Sequence, residues 1–580
     1  MDTVLQLLSH QFEKAILKAF SNLNHSPAII TPATQKAFGH YQCNSAMKIA
    51  KLINEKPVSC AEKIIENLEY VLNDEPFIEK AEIKGPGFIN IFIDPYFLQN
   101  RLKALLEDDK CLVPTPKHKQ KVIVEFSSPN VAKQLHVAHL RSSIIGDSIA
   151  RLFEFLGHEV LRLNHIGDWG TPFGMLIHYL KMYEPDVLAG KKEPKLSVLE
   201  EWYKASRKLF DSDETFKKSA QQEVVKLQAK DPISIKAWEV ICDISRKAFE
   251  HIYKLLDIKI QARGESFYNP FLPFVIETAK KKHLLEESNG ANVIFLEGFK
   301  TQEGTPLPII LQKADGGFNY STTDVAAFWH RAQEEKADRI IVVTDNGQAL
   351  HFQMAEQAAE KLGFIDPQVT EFNHVTFGLV LGEDGKKIKT RSGQTFKLID
   401  FLEDAVEEAH KILKERYPEE NLQEILHLAQ ILGIDAVKYC DLACLRTKDY
   451  TFSYERMLRF EGNTAAFLLY SYVRSLSIQR KAKSSDISLD VLKLSHPSEI
   501  ELAVHLLQFP DVLLQTTRDL FPNRIADFCY HLAEKFNAFF RDCHVIGDPN
   551  QDSRLLLCQA VQKTFESALW ILGLKTVEKM

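Results

Sequence analysis

Cysteine is sparse in this chain: nine thiols among 580 residues, an odd number scattered along the whole length. That usage suits reduced thiols better than a disulfide framework. Cys440 and Cys444 stand four apart in a helical stretch with no second cysteine pair near them, which points to core packing. No apolar run reaches bilayer-spanning length, and Met1-Asp2-Thr3-Val4 has neither a basic leader nor a cleavage site, so a cytoplasmic protein without a membrane partner is expected. Charge of one sign is also missing in excess. A net charge of −7 argues against a chain that coats nucleic acid indiscriminately, but a local basic stripe would be enough to track an RNA backbone.

What is present is an ordinary core-forming composition, 45% hydrophobic and 26% charged, in a length that suggests about three to five domains. Residues 1–115 read as a small α+β module. Leu5, Leu8, Phe12, Ile16 and Phe20 mark an amphipathic helix, two more follow at 46–52 and 61–68, and the strands of 78–93 are broken by Gly85-Pro86-Gly87. Residues 116–183 begin an α/β domain, 184–263 are rich in charge and helix formers and read as an all-helical insertion, and 264–400 resume the sheet. In that second half Val293–Leu296, Ile309–Leu311 and Arg339–Val343 are apolar runs interleaved with helices, which implies a parallel, doubly wound sheet with ligands at its carboxyl edge. Residues 401–580 read as a helical bundle, with strands absent from about 425 onward.

The organising stretch is Glu125-Phe126-Ser127-Ser128-Pro129-Asn130-Val131-Ala132-Lys133-Gln134-Leu135-His136-Val137-Ala138-His139. It follows the β-branched run Lys121–Val124 and precedes apolar positions at 140, 144, 145, 149, 152, 153 and 156 that stop at Gly157. That is a strand, a polar loop and a helix with a glycine stop. The free amides and positive dipole end of such a helix face the sheet's carboxyl edge, where an anion is favoured. His136 and His139 point the same way and each can donate to phosphate oxygens. A zinc pair has the same spacing but needs a third ligand, and no His-Glu-x-x-His or Cys-x-x-Cys accompanies it. His165-Ile166-Gly167-Asp168 follows a second strand, but its fourth residue is an acid and Pro172 interrupts the helical pattern behind it, so 167–170 reads as a second loop of the site.

His136-Val137-Ala138-His139 resembles the HIGH signature of class I aminoacyl-tRNA synthetases, and Ser128–Lys133 leading into it resembles the arginyl-tRNA synthetase version. The resemblance extends along the chain. Gly378–Gly393, with Lys387-Ile388-Lys389-Thr390-Arg391, is similar to the KMSKS signature, with the departure that its second lysine falls on Thr390; a shift by one uses Lys386 and Lys389 instead. Lys133 stands where family members carry a compensating lysine. Residues 432–439 and 460–474 resemble the DALR bundle, and Phe38–Asn44 with Gly85–Asn90 resembles the family's additional N-terminal domain. The fold so implied is multidomain α/β: a Rossmann-like, HUP-type parallel-sheet catalytic domain with a helical insertion, an α+β N-terminal domain and an all-α C-terminal bundle.

The resemblance also implies an activity and a site. L-Arginine is activated by ATP, which brings Mg²⁺ with it, and is passed to tRNA(Arg); no tightly bound metal or prosthetic group is expected, and the family habit is a monomer that needs tRNA before it activates its amino acid. Catalytic positions are Lys133, His136 and His139 with Lys386, Lys387 and Lys389. ATP lies against Pro129, Asn130, Val131, Ala132, Lys133, Gln134, Leu135, His136, Val137, Ala138, His139 and Gly378. Arginine is held by Glu125, Ser128, Asn130, Tyr320, Asp324 and Gln348, because a planar guanidinium is best met by carboxylate oxygens. tRNA contacts fall on Phe88 and Asn90 in the first domain and on Tyr470 and Met580 in the last, although Phe88 is equally readable as strand core and Tyr470 as part of a buried aromatic stripe. Two other readings stay open on the residues alone. A cysteinyl-type class I enzyme would carry a zinc site near the signature, and none is visible. A tRNA-binding protein with a dead active site fits poorly with intact His136, His139 and Lys133.

Overall fold

The computed structural model describes residues 2–23, 27–386, 388, 396–482 and 487–580. They divide into two compact units, His118–Leu458 and the combination of Met1–Lys117 with Arg459–Met580. Among the described residues no helix is long and apolar enough to cross a membrane.

The first unit is built on five parallel strands in the order Glu371–Phe377, Arg339–Asp345, Lys121–Glu125, Glu159–Asn164 and Gln261–Ala262. Lys121–Glu125 is central. Its Val122, Ile123 and Val124 have no exposed surface, as expected for a strand covered on both faces. The chain leaves it for the helix Val137–Leu156 and returns on one side as Glu159–Asn164, whereas the strand on the other side, Arg339–Asp345, comes from far along the sequence. The crevice between the carboxyl ends of Lys121–Glu125 and Arg339–Asp345 is therefore the switch in strand order, where such sheets bind ligands. The helix ends at Gly157, in the left-handed conformation with φ 98°.

The inserted segment is helical as expected: Leu196–Ser212, Glu214–Gln228 and Pro232–Leu255, the last two capped by Asp213 and Asp231. Pro172 does not break a helix. It occupies the first turn of Thr171–Tyr183, where a missing N–H costs nothing. That helix packs Met175 against Phe216 and Ala220 of the insertion.

The runs 293–296 and 309–311 depart from expectation. They lie in Ala291–Lys300 and Pro306–Gln312, an antiparallel hairpin joined to Glu286–Ser288 and not part of the parallel sheet. A short connection permits an antiparallel pair, whereas a parallel one needs a crossover. Their inward residues Ile294, Leu296, Ile309 and Leu311 still join the core that Ile123 and Ile340 occupy. The helices Leu398–Arg416 and Leu422–Leu442 belong to this unit, which runs to Leu458 and not to 400. A late strand, Tyr450–Thr451, pairs with Val380–Leu381.

The second unit joins a four-stranded antiparallel sheet, in the order Ile30–Pro32, Tyr41–Cys43, Phe88–Ile93, Ile78–Lys84, to the helices of 465–571. Lys563 donates to the Leu106 carbonyl at 2.8 Å, and Thr3 donates to Asp511.

Candidate functional site

Beyond Glu125 the chain takes an unusual course. Ser127, Ser128 and Ala132 have φ of 68°, 45° and 61°, left-handed values that side chains other than glycine avoid, at a cost of about 1–3 kcal/mol each. Surrounding hydrogen bonds hold them there. The Ser127 N–H donates to Ser142 Oγ at 2.8 Å, and Ser142 Oγ in turn donates to the Val343 carbonyl at 2.7 Å. Ser127 Oγ lies 2.8 Å from the Tyr253 hydroxyl, which also accepts from Asn164 Nδ2 at 2.9 Å, and Asn164 Oδ1 accepts from the Ser128 N–H at 3.0 Å. Farther on, Gly167 donates to the Pro129 carbonyl and accepts from the Val131 N–H, at 3.0 and 3.1 Å. The two loops singled out in the sequence are thus zipped together. Gly167 is required for this, since a Cβ there would lie 2.2 Å from Asn130 Oδ1.

The loop encloses a cleft of about 320 Å³ at the strand-order switch. Glu125, Ser128, Asn130, His136, Ala138, His139, Tyr320, Asp324 and Gln348 all line it, so strand, loop and helix positions spread over more than 220 residues meet in one place. A larger cavity of about 660 Å³ lies between the insertion and the 166–168 loop, away from both histidines.

In the cleft wall the rings of His136 and His139 are 4.1 Å apart. The His136 backbone N–H donates to His139 Nδ1 at 3.2 Å, which leaves the His139 proton on Nε2 as a free donor. Burial, with His136 and Lys133 adding to it, pushes the His139 imidazole down to about 3, and burial followed by Lys133 lowers His136. Both imidazoles are therefore neutral donors near neutral pH, at a helix start whose first amides lack intrahelical partners.

The same cleft is lined by acids. Asp324 Oδ2 is 2.6 Å from His351 Nε2. Tyr320, one turn earlier on the helix Tyr320–Trp329, is well exposed, with its ring 4.8 Å from that of His351. Glu125 differs from the simple expectation: it is buried, and its Oε2 is already held by the Arg331 guanidinium at 2.5 Å, leaving Oε1 beside Ser128 Oγ at 3.4 Å. A carboxylate with one oxygen committed cannot give a two-oxygen grip to another guanidinium. The sequence reading missed Glu265, His165 and His351, which also line the cleft. Burial first, then Asp324 and Asp168, pushes the Glu265 carboxyl up to about 8. Its position just past the strand Gln261–Ala262, at the carboxyl edge, was the available signal.

Other expected positions shape the site without lining it. Lys133 is exposed, its ammonium 5.7 Å from the Tyr203 ring, and Gln134 donates to Glu200 of the insertion at 3.1 Å. The Ala132 N–H donates to Ser245, Leu135 accepts from the Leu398 N–H, and Val131 and Val137 are buried. Gly378 accepts from Arg141 at 2.8 Å, next to the cleft-lining Phe377. Lys386 is exposed in a tight turn, whereas Lys387 and Lys389 lie outside the described residues. In the other unit Phe88 is half-buried at a strand start, and Tyr470 is stacked by Arg474, 4.8 Å from its ring. Met580 is half-buried at the chain's end. Asn90 is fully buried and accepts from Gln42 at 2.9 Å, so its side chain presents no surface to a ligand.

Residues 101–454 match the model of the class I tRNA synthetase (R) catalytic domain, 468–580 that of the DALR anticodon binding domain, and 6–93 that of the arginyl tRNA synthetase N-terminal domain. The chain belongs to the arginyl-tRNA synthetase family. It is 53% identical to an arginine–tRNA ligase of Protochlamydia amoebophila and 48% identical to one of Chlamydia pneumoniae, over the full length of both chains in each case. Among solved structures the Plasmodium falciparum arginyl-tRNA synthetase superposes over the whole of both chains with a TM-score of 0.87 at 34% identity. The Thermus thermophilus enzyme, at 21% identity and a TM-score of 0.76, shares the fold. In this arginyl-tRNA synthetase-family chain, the HIGH-like histidines and the 129–131 loop thus border a cleft within the segment that the catalytic-domain model matches.

Proposed function

We propose that this cleft joins L-arginine to ATP, forming arginyl-adenylate and pyrophosphate, and then passes the arginyl group to a 3′-terminal hydroxyl of tRNA(Arg), the acyl–phosphate bond breaking to release AMP. The carboxylate of arginine attacks the α-phosphorus in line: a carboxyl–phosphorus oxygen bond forms as the bond to pyrophosphate breaks, and no covalent enzyme intermediate is needed. The protein's task is alignment and relief of negative charge. His139 Nε2–H, His136 and the helix start meet the phosphates, and Lys133, close enough to depress His136, adds a cation beside them together with the lysines of 386–389. Mg²⁺ travels on the ATP phosphates as part of that substrate.

Recognition of arginine falls to Asp324, Tyr320 and Glu265 at the guanidinium. Glu125, whose free oxygen sits by Ser128, suits the α-ammonium with Asn130 and Gln348. A guanidinium spreads five donors over a plane and can meet the free oxygen of Asp324, Glu265 and Tyr320 together, whereas the compact ammonium of lysine cannot span them and is rejected on that account. The observation that carries this assignment is the meeting of a neutral histidine pair and an acid cluster across one cleft at the strand-order switch. We place the enzyme in the cytoplasm as a monomer, with the unit bearing Phe88 and Tyr470 receiving the body of the tRNA. Charging of tRNA(Arg) with each of the twenty amino acids tests the assignment: only arginine is expected to be attached, and attachment of another amino acid, or of none, overturns it.

A further inference from the structure

Asp324 is bonded by a side chain from a different helix. His351 lies in the first turn of Ala349–Lys361, three residues beyond Gln348. Its Nε2 is 2.6 Å from Asp324 Oδ2, and its ring lies 4.8 Å from that of Tyr320 with 58° between the planes. The other oxygen of Asp324 faces His165 Nε2 at 3.8 Å, too far for a hydrogen bond. We propose that His351 is a positioning residue for arginine recognition, fixing one oxygen of Asp324 and bracing the Tyr320 ring so that the second oxygen is presented to the guanidinium.

The assignment rests on the reading of Asp324 as the guanidinium acid and adds to it. An aspartate has two free torsions, and Tyr320, at 59% exposed, has little else to fix its ring. An imidazole that donates from Nε2 to Asp324 and packs against the Tyr320 ring restrains both side chains at once. The cleft also crowds Glu125, Glu265 and Asp345 near Asp324. Among these acids Asp324 is the one that His351 touches, with its Nε2 2.6 Å from Oδ2. The opposite role is also conceivable in this geometry. If His351 were a latch that had to leave Asp324 before arginine could enter, removing it would tighten arginine binding, so the sign of the effect decides between the two.

The test uses the full-length enzyme in tRNA(Arg) charging, with arginine and ATP varied separately. His351→Phe keeps a ring against Tyr320 and removes the donor. It is expected to raise the KM for arginine about tenfold or more, the scale of a lost hydrogen bond to a charged group, and to move the KM for ATP less than about twofold. His351→Gln, which retains an N–H of similar reach, should recover a large part of that loss. Combining His351→Phe with Asp324→Asn should cost no more than Asp324→Asn alone, because the histidine acts through the acid. An unchanged or lowered KM for arginine in His351→Phe, a parallel rise in the KM for ATP, no recovery with Gln, or additive losses in the double variant would each overturn the proposal. Asp324→Asn separates the two layers. If it leaves the KM for arginine unchanged, the reading of Asp324 falls; if it raises that KM while His351→Phe does not, only the role of His351 falls.

Discussion

Replacing Arg141 by methionine is expected to destabilise the sheet-bearing unit by about 3–5 kcal/mol, the cost of leaving one member of a buried ion pair unmatched. Arg141 lies in the second turn of the signature helix with no exposed surface, and its Nε is 2.9 Å from Asp441 Oδ2, which is equally enclosed. The same guanidinium donates to the carbonyls of Gly378 at 2.8 Å, Lys448 at 3.3 Å and Arg446 at 3.4 Å, between the rings of Tyr450 and Phe377. Methionine fills much of that volume and offers no donor. Burial already holds the Asp441 carboxyl above its ordinary range, with Arg141 opposing the rise, so loss of the arginine lifts it further. An acid whose folded pKa is raised penalises folding once the pH exceeds its unfolded value, and the penalty grows until the folded value is passed. The deficit of Arg141→Met should therefore be largest at neutral pH and above and shrink on acidification. Adding Asp441→Leu removes the stranded charge, so the double variant should be more stable than the sum of the single losses predicts, by about 1–3 kcal/mol. Denaturant midpoints followed by tryptophan fluorescence report chiefly on this unit, because four of the five tryptophans, Trp169, Trp202, Trp238 and Trp329, lie in it. Single losses that simply add, or a deficit independent of pH, would refute the reasoning.

Gly167→Ala places a methyl group 2.2 Å from Asn130 Oδ1 and strains the backbone bonds that zip 129–131 to 167, so kcat/KM for arginine should fall about tenfold or more, in line with an overpacking cost of about 1–3 kcal/mol; a change under about twofold in steady-state charging would contradict it. Glu265, pushed up to about 8, is protonated in the empty cleft at neutral pH and must release that proton when a cation binds beside it. The KM for arginine should accordingly fall as pH rises towards 8, and Glu265→Gln should remove that slope; a slope that persists in the variant argues against the role. His374, lowered to about 4 chiefly by burial, is neutral in the folded unit, and its ring nitrogen bonds Thr344 at 2.7 Å. Its depressed folded pKa leaves its contribution intact above about 6.5 and withdraws it as pH falls towards 4. His374→Gln should therefore flatten the fall in thermal midpoint across that window, and an identical slope would sink the assignment.

The parts of the fold written in contiguous sequence were legible. Val122–Val124, the polar loop and the apolar spacing up to Gly157 gave the strand, loop and helix that the structure contains, because each signal is local. The inserted helices were legible for the same reason, down to the place of Pro232. Strand direction was not. An apolar run such as Ile309–Leu311 says that a strand is buried but is silent on whether its partner runs with it or against it, and only the neighbouring Ala291–Lys300 decides. Position on the chain also misjudged single residues. Asn90 follows the Gly85-Pro86-Gly87 turn on the strand face it shares with half-buried Phe88 and Phe92, yet it is fully buried, with Gln42 of the neighbouring strand bonded to its oxygen. Glu125 is in the cleft as expected, but its partner Arg331 lies some two hundred residues away, and no local pattern links the two.

The acids show why such a site resists reading from sequence. A cleft that accepts a cation needs negative charge, but empty it would bring Glu125, Glu265, Asp324 and Asp345 into mutual repulsion with little water to screen them. The fold quenches each by different chemistry. Glu125 is paired with Arg331, Glu265 is held protonated by burial, Asp324 accepts from His351, and Asp345 takes the Gly347 N–H of its own turn at 2.8 Å. Only the second and third of these can be undone cheaply by an incoming guanidinium, through loss of a proton or use of a vacant oxygen, whereas separating a buried ion pair costs several kcal/mol. In the function proposed above, the division of labour among the acids follows from what each is already bonded to or from its burial, and the bonding groups come from elements that meet only once the sheet, the helix 320–329 and the helix 349–361 have packed together.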